Sequence, residues 1–162
     1  MNRVMNFVLI SAHFPENYQY FAHRLKDAGV NVLGIGDGPF ETLPLESKES
    51  LTEYYRVDSM DDYDEMYRAV AYFAFKYGKI DRIESHNEHW LETDAQLRSD
   101  FNVIGFKAED MEKVKRKSSM KKVFRAINVP AARGRVIKDL QDAEALIKEV
   151  GYPVVVKPDS GV

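Results

Sequence analysis

Short apolar runs alternate with amphipathic segments through the first hundred residues of the chain. Apolar runs predict strands at Val4–Ser11 and Val30–Ile35, and we predict two further short strands at Glu53–Val57 and Ile80–Glu84. Apolar residues at helical spacing predict three helices, at Glu16–Ala28, Asp61–Tyr77 and Glu88–Phe101. Because strands connected through helices form parallel sheets, we expect an α/β, Rossmann-like parallel sheet with helices on both faces.

The pattern changes after about residue 105. Eight basic side chains lie between Lys107 and Arg125, where we predict two short helices, at Ala108–Arg116 and Ser119–Ile127. A strand, a helix and a second strand are predicted to follow, at Gly134–Ile137, Leu140–Val150 and Tyr152–Val156. We therefore divide the chain into a Rossmann-like domain over 1–105, a helical connector over 106–130 and an incomplete subdomain over 131–162.

The last predicted strand has only one predicted partner in its own subdomain. Two strands without a larger sheet are marginally stable. We therefore expect the chain to be a fragment or one half of a split protein.

Composition excludes several classes of function. Of the 162 residues 44% are hydrophobic and 30% are charged, which is typical of a globular protein, and the net charge of −3 argues against a surface that coats nucleic acid or membrane. The absence of cysteine excludes disulfides, thiolate metal ligands and cysteine nucleophiles. The apolar run Phe7–Ile10 is too short for a signal peptide or a membrane span, so we expect a cytoplasmic location.

Two loops after predicted strands argue against a dinucleotide site. The loop 11–17 contains no glycine, whereas a dinucleotide site needs glycines there to let backbone amides approach the pyrophosphate. Gly34, Gly36 and Gly38 have the wrong spacing for a phosphate-binding loop, and we predict a flexible turn that ends the second strand.

The segment Ser85–Trp90 concentrates polar and aromatic groups after the fourth predicted strand. Its two histidines and Glu88 are metal-ligand types, but no further ligand is evident in the sequence, so no metal residue is assigned. We expect a polar pocket wall, with Ser85 or Asn87 capping the next helix. Glu88 and Asn87 are the candidate substrate-binding residues.

Lys157 directly follows an apolar predicted strand and precedes a glycine turn. Such a lysine either meets an anion or reaches solvent, and the spacing leaves both open. The basic residues between Lys107 and Arg125 are interspersed with acidic ones, so a solvated helix face accounts for most of them, while one or two could face a polyphosphate.

Residues 101–162 resemble the start of an ATP-grasp domain. The similarity lies in the segments Arg116–Lys122 (RKSSMKK), Asn128–Pro130 (NVP) and Gly151–Val162 (GYPVVVKPDSGV). It is greatest to the branch that contains carbamoyl-phosphate synthase large chains, biotin carboxylases and amino-acid ligases. Residues 1–100 match the accompanying pre-ATP-grasp domain in pattern, and residues 131–162 would be a truncated ATP-grasp lid. The segment Ser85–Glu92 resembles the part of these enzymes that lies near nucleotide and substrate.

The resemblance implies ATP as the ligand of specific residues. Lys117, with Arg116 as the neighbouring candidate, and Lys157 would contact ATP, and Gly161 would begin a mobile glycine-rich loop. The intact enzyme would also use Mg²⁺, held by carboxylates and an asparagine of a later domain that is absent here. No protein nucleophile is needed, so no catalytic residue is assigned.

The implied activity is that of an ATP-dependent carboxylate–amine ligase or a carbamoyl-phosphate-synthase-like enzyme that forms an acyl-phosphate from a small-molecule carboxylate. The chain alone is expected to be inactive. Its protein partner would be a second copy of itself or the remaining part of the enzyme, and no nucleic acid or membrane partner is expected.

Two alternatives remain open at this point. A non-catalytic Rossmann-like module for a small molecule or protein partner, or half of a split enzyme, predicts no nucleotide dependence and a well-packed segment over 134–162. A nucleic-acid binder predicts steep salt dependence, which the net charge disfavours.

Overall fold

Four parallel strands form the centre of the first of two compact units. The structure, a computed structural model, describes residues 3–15, 17 and 19–161, and the two units divide between Ala108 and Glu109. The strands are β1 (Asn6–Ile10), β2 (Asn31–Gly36), β3 (Glu53–Arg56) and β4 (Arg82–Glu84), in the order β3-β2-β1-β4. β1 pairs in parallel with β2, where Val8 lies beside Leu33, and with β4, where Val8 lies beside Ile83. The predicted parallel sheet is confirmed.

Four helices accompany this sheet: α1 (Gln19–Asp27), α2 (Leu45–Ser50), α3 (Tyr63–Tyr77) and α4 (Leu91–Asp100). The predicted beginning of α1, at Glu16 with Tyr18 on its apolar face, lies outside the described residues. A turn of 3-10 helix, Glu88–Trp90, precedes α4. Asp62 caps α3 by accepting hydrogen bonds from the backbone N–H groups of Asp64 and Glu65.

The two faces of the sheet are covered by different helices, as predicted. Alternate residues of a strand point to opposite faces. Phe7 and Leu9 of β1 cluster with Ala22 of α1, whereas Val8 and Ile10 cluster with Phe73 of α3. The second cluster also contains Leu97 of α4. Both faces are therefore apolar, which explains why the central strands β1 and β2 appear as continuous apolar runs in the sequence.

The second unit begins at Glu109 and contains α5 (Met111–Lys115), α6 (Lys117–Ala126) and α7 (Leu140–Val150). Asp139 caps α7 by accepting from the backbone N–H of Asp142 at 2.9 Å, and Gly151, with φ 78°, ends the helix as predicted. In the part of the chain that the structure describes, no helix is long and apolar enough to cross a membrane.

The strands predicted at Gly134–Ile137 and Tyr152–Val156 are wrong, because neither segment is paired as a strand in the structure. Val155 and Val156 are 77% and 89% exposed. A strand is stable only through hydrogen bonds to a neighbouring strand and burial of its side chains, and composition alone supplies neither. The three-part division at 1–105, 106–130 and 131–162 stays a prediction, and Val162 lies outside the described residues.

Candidate functional site

A cavity of about 310 Å³ opens at the C-terminal edge of the sheet in the first unit. Loops that follow all four strands line it: Ser11, His13 and Phe14 after β1, Asp37 after β2, Met60 after β3, and Asn87, His89 and Trp90 after β4. These loops come together because the carboxyl ends of parallel strands meet at one edge of the sheet.

The order of the strands explains why the cavity forms at this place. From β1 the chain proceeds to β2 and β3 on one side and then returns to place β4 on the other side. The loops after β1 and β4 leave the sheet next to each other at this reversal, which is the usual place for a ligand in an open α/β sheet. Six of the eight lining residues belong to these two loops.

His13 and Tyr54 occupy the space that Gly36 of β2 leaves open. A Cβ atom on Gly36 would lie 2.5 Å from the Tyr54 hydroxyl oxygen and 2.7 Å from His13 Nδ1. The prediction that these glycines only form a flexible turn is therefore wrong, since Gly34 and Gly36 lie within β2. The Tyr54 hydroxyl donates to the Gly38 carbonyl at 2.7 Å. Burial, together with nearby Asp37, raises the pKa of Tyr54 to about 12.

His13 also faces a carboxylate at the cavity. His13 Nε2 lies 3.3 Å from Asp37 Oδ1, and 45% of the Asp37 side chain is exposed. Arg56 donates its Nε–H to the backbone carbonyl of Asp37 at 3.1 Å and so holds the loop after β2. The cavity therefore combines one carboxylate with a largely aromatic wall.

Asn87 and Glu88 were both predicted to contribute to a pocket. Asn87 lines the cavity, and its side-chain oxygen caps the 3-10 turn by accepting from the backbone N–H of His89 at 2.9 Å. Glu88 lies in the same turn, is half-buried and is not among the lining residues. The structure therefore brings Asn87 to the cavity and leaves Glu88 beside it.

The histidines of this loop contact different partners. The ring of His86 lies 4.2 Å from that of Phe21, and His89 Nε2 lies 3.6 Å from Asp61 Oδ1. Among residues 3–15, 17 and 19–161, no three histidine, aspartate or glutamate side chains are grouped as a metal site.

A buried carboxylate behind this loop was missed by the sequence analysis. Asp94 of α4 is fully buried, and its Oδ2 accepts from the Ser85 backbone N–H at 3.0 Å and from the Ser85 hydroxyl at 2.6 Å. Burial raises the pKa of Asp94 to about 7, although Ser85 and the Arg98 guanidinium, 3.7 Å away, act in the opposite direction. Ser85, which was expected to cap a helix or line a pocket, serves this carboxylate instead.

Arg98 connects the end of β4 to the segment after α4. Its guanidinium donates to the carbonyls of Ile83 and Phe106, both at 2.8 Å, and to the Glu84 carboxylate at 2.9 Å. The spacing of Asp94 and Arg98, four positions apart on a helix, was the available signal for this pair. It does not indicate that both side chains are buried.

The second unit places two of the predicted phosphate-binding residues, Arg116 and Lys117, at the N-terminus of α6. Asp159, 41 residues further along the chain, accepts from the Ser118 backbone N–H at 2.8 Å and from the Ser118 hydroxyl at 2.9 Å. Its backbone carbonyl accepts from the Lys117 N–H at 2.9 Å. The two hydrogen bonds from Ser118 to the carboxylate, that from its backbone N–H first, lower the pKa of Asp159, and so does Arg116, whose guanidinium nitrogen lies 3.8 Å from the carboxylate.

The structure brings three of the four predicted cofactor-binding residues, Arg116, Lys117 and Gly161, to this helix end. Lys117 Nζ donates to the Gly161 carbonyl at 2.6 Å, and Arg116 precedes the helix. Lys157 is exposed and lies two positions before Asp159. Asp159 and Ser118, which hold the turn against the helix, were inside the quoted motifs but were not recognised as a pair.

The chain is similar in sequence to known enzymes and to the ATP binding domain of one of them. Residues 116–162 match the family model for the carbamoyl-phosphate synthase L chain, ATP binding domain. An L-arginine-specific L-amino acid ligase of Bacillus subtilis is 26% identical over 98% of this chain and 38% of its own length. A carbamoyl phosphate synthase large chain of Clostridium acetobutylicum is 25% identical over 40% of this chain and 6% of its own length. The chain thus spans well under half of these relatives.

Solved structures share the fold. The biotin carboxylase domain dimer of the Hydrogenobacter thermophilus 2-oxoglutarate carboxylase, in complex with MgADP, ADP and bicarbonate, matches 99% of this chain and 36% of its own chain, with a TM-score of 0.70 and 22% identity. An L-amino acid ligase from Bacillus licheniformis matches 93% of this chain and 43% of its own, with a TM-score of 0.57 and 15% identity. The sequence and fold matches together confirm the predicted resemblance: residues 116–162 are similar to the ATP binding domain of the carbamoyl-phosphate synthase L chain, and the chain as a whole is similar in fold to biotin carboxylase and L-amino acid ligase structures.

Proposed function

We propose that this chain supplies phosphate-binding cations and a substrate cavity to an ATP-dependent ligase of the carboxylate–amine or carbamoyl-phosphate-synthase type. The single observation that supports this most directly is the contact between Lys117 Nζ and the Gly161 carbonyl. It joins the cation at the start of α6 to the glycine turn in the part of the chain that matches an ATP binding domain.

The residues at the start of α6 are suited to a polyphosphate. Basic side chains at a helix N-terminus oppose the helix dipole, so Arg116 and Lys117 are unfavourably placed unless an anion is near. Asp159 satisfies part of this requirement. The Lys117 ammonium has three N–H donors, of which Gly161 uses one, so the others can reach phosphate oxygens. Lys157, which is exposed, would supply a further cation.

Magnesium is not accounted for by the same residues. Mg²⁺ in phosphoryl transfer needs carboxylate or amide oxygens together with phosphate oxygens. The described residues hold no group of three such acidic or histidine ligands. In line with the resemblance, we propose that the magnesium ligands lie in another part of the enzyme and that the chain alone is inactive.

The first unit would hold the organic substrate in the cavity at the sheet edge. The proposed reaction begins when a substrate carboxylate oxygen attacks the γ-phosphorus of ATP, which releases ADP and leaves an acyl-phosphate. An amine then displaces phosphate to form an amide. In this scheme the residues of the chain bind and orient the reactants and exclude water, and none acts as a nucleophile. A homodimer, or association with the rest of the enzyme, remains a prediction.

Nucleotide titration of the chain tests the phosphate assignment. ATP should shift the backbone amide NMR signals of Lys117 and Gly161, and Lys117→Ala or Lys157→Ala should weaken binding about tenfold or more, since each removes a charge-assisted contact. Lys122→Ala, an exposed lysine of the same helix, is the matched control and should bind like the unchanged chain. In the full ligase the same two substitutions should raise KM for ATP or lower turnover. Equal effects of all three variants would contradict the assignment.

A further inference from the structure

We infer that the cavity at the sheet edge accepts an amino acid whose side chain ends in a positively charged group, an ammonium or a guanidinium, and holds that group beside Asp37. The inference rests on the proposed function, because it names the class of substrate that the cavity would hold. It depends on the charge, walls and position of the cavity.

Asp37 determines the charge of the cavity. Among the described lining residues it is the one ionised side chain apart from the histidines. His13 Nε2 lies 3.3 Å from Oδ1, which restrains the carboxylate, and 45% of the side chain remains exposed to a ligand. A carboxylate held in this way attracts a cation and repels the carboxylate end of a substrate.

The walls of the cavity also favour a positively charged ligand. Phe14 and Trp90 both line it, and the ring of His89 meets that of Trp90 edge-on at 4.4 Å. Cations bind to the faces of aromatic rings, and tryptophan is the most favourable partner. Met60, almost fully buried, contributes an apolar surface suited to the aliphatic part of an amino-acid side chain.

The charged groups just outside the cavity do not reverse this balance. Arg56 is not a lining residue and donates its Nε–H to the backbone carbonyl of Asp37. Asp61 lies 3.6 Å from His89 and adds a second negative charge close to the aromatic wall. A cationic group that enters the cavity would therefore face Asp37 directly and Asp61 at longer range.

Trp90 makes the inference directly testable, because it is the only tryptophan in the sequence and it lines the cavity. The chain is titrated at about pH 8, above the usual range of histidine titration, with L-arginine, with L-citrulline, whose side chain ends in a neutral group of similar shape, and with L-glutamate, whose side chain is anionic. All three share the α-ammonium and the α-carboxylate, so differences between them report on the side chain. Tryptophan fluorescence should report binding of L-arginine at least about tenfold tighter than that of L-citrulline.

Variants separate the role of Asp37 from a general charge effect. Asp37→Asn should remove the preference for L-arginine, whereas Asp37→Glu should retain part of it. Asp27→Asn is the control with the same charge change, because Asp27 ends α1 at the opposite edge of the sheet, and it should keep the full preference. If Asp37→Asn fails to fold, the comparison of the two amino acids on the unchanged chain decides the question.

The outcomes distinguish this inference from the function on which it rests. Equal binding of L-arginine and L-citrulline, or tighter binding of L-glutamate, would overturn the cationic preference and leave the cavity as a substrate site. A lack of fluorescence response to all three amino acids would overturn the inference and also remove the cavity from the proposed function. The phosphate assignment at α6 would be unaffected, since nucleotide titration tests it separately.

Discussion

The buried carboxylate of Asp94 makes the stability of the first unit depend on pH in an unusual direction. Its pKa is raised from the ordinary 3.8 to about 7, because burial penalises the charged form more than Ser85 and Arg98 favour it. The folded state therefore holds this proton up to about pH 7, whereas the unfolded chain releases it near pH 4. Since the folded state binds more protons across that interval, its stability falls as pH rises through it.

The magnitude follows from the difference between the two pKa values. At about 1.4 kcal/mol for each unit of pKa, the carboxylate lowers the free energy of unfolding by about 4 kcal/mol once pH exceeds 7. Between pH 5 and pH 8 the loss is about 3 kcal/mol. In Asp94→Asn an uncharged amide replaces the carboxylate, and its oxygen can still accept from Ser85, so this part of the pH dependence should disappear.

Urea denaturation of the unchanged chain and of Asp94→Asn at about pH 5 and pH 8 measures the effect. The variant should gain about 3 kcal/mol relative to the unchanged chain on going from the lower to the higher pH. Asp58→Asn, which alters an exposed carboxylate of the same unit, is the control and should follow the unchanged chain. Parallel pH dependence of Asp94→Asn and the unchanged chain would refute the reasoning, because the carboxylate would then ionise at no cost in the folded state.

Two matched pairs of substitutions test the packing of the first unit by urea denaturation. Phe73→Ala should lose about 3–5 kcal/mol because Phe73 is fully buried, whereas Phe75→Ala, at a position 92% exposed, should change stability by less than about 0.5 kcal/mol, and similar losses would contradict the core assignment. Gly36→Ala should lose about 1–3 kcal/mol because its Cβ would lie 2.5 Å from the Tyr54 hydroxyl oxygen. Gly38→Ala, whose Cβ would lie 3.7 Å from its nearest neighbour, should be close to neutral, so equal stability of the two alanine variants would argue against the close approach.

The strands of the first unit could be predicted because their signal is local. The two central strands, β1 and β2, carry runs of apolar residues and are buried on both faces, so each run marks its strand without knowledge of its neighbours. Helix α2 was missed because its buried positions include Ser47 and Ser50 rather than apolar residues at helical spacing. The Ser50 hydroxyl donates to the Glu46 carbonyl, which satisfies this buried polar group inside the helix itself.

The predicted strands of the second unit failed for the opposite reason. The run Tyr152–Val156 has the composition of a buried strand, but a strand also needs a neighbour to accept its backbone hydrogen bonds. No pairing of this segment is present in the described residues, and Val156 is 89% exposed. The prediction was correct for α7 because a helix satisfies its backbone hydrogen bonds internally and its ends were marked by Asp139 and Gly151.

In the candidate site, too, the features that depend on nearby residues could be predicted from the sequence. The residue types and motifs were readable from the chain: the lysines near α6, the glycine turn, and the polar segment that ends at Trp90. These features depend on neighbours a few positions away, and so does the alternation of apolar and polar residues that indicates an α/β fold.

Folding alone decided which of these residues meet. The closure of Asp159 onto Ser118 spans 41 positions, and the burial of Asp94 beneath Ser85 requires α4 to pack behind the end of β4. The gathering of Asp37 and Trp90 at one cavity follows from the order β3-β2-β1-β4. Such contacts are stabilised by burial and by hydrogen bonds between distant segments, and no local pattern in the chain specifies which distant segment will be the partner.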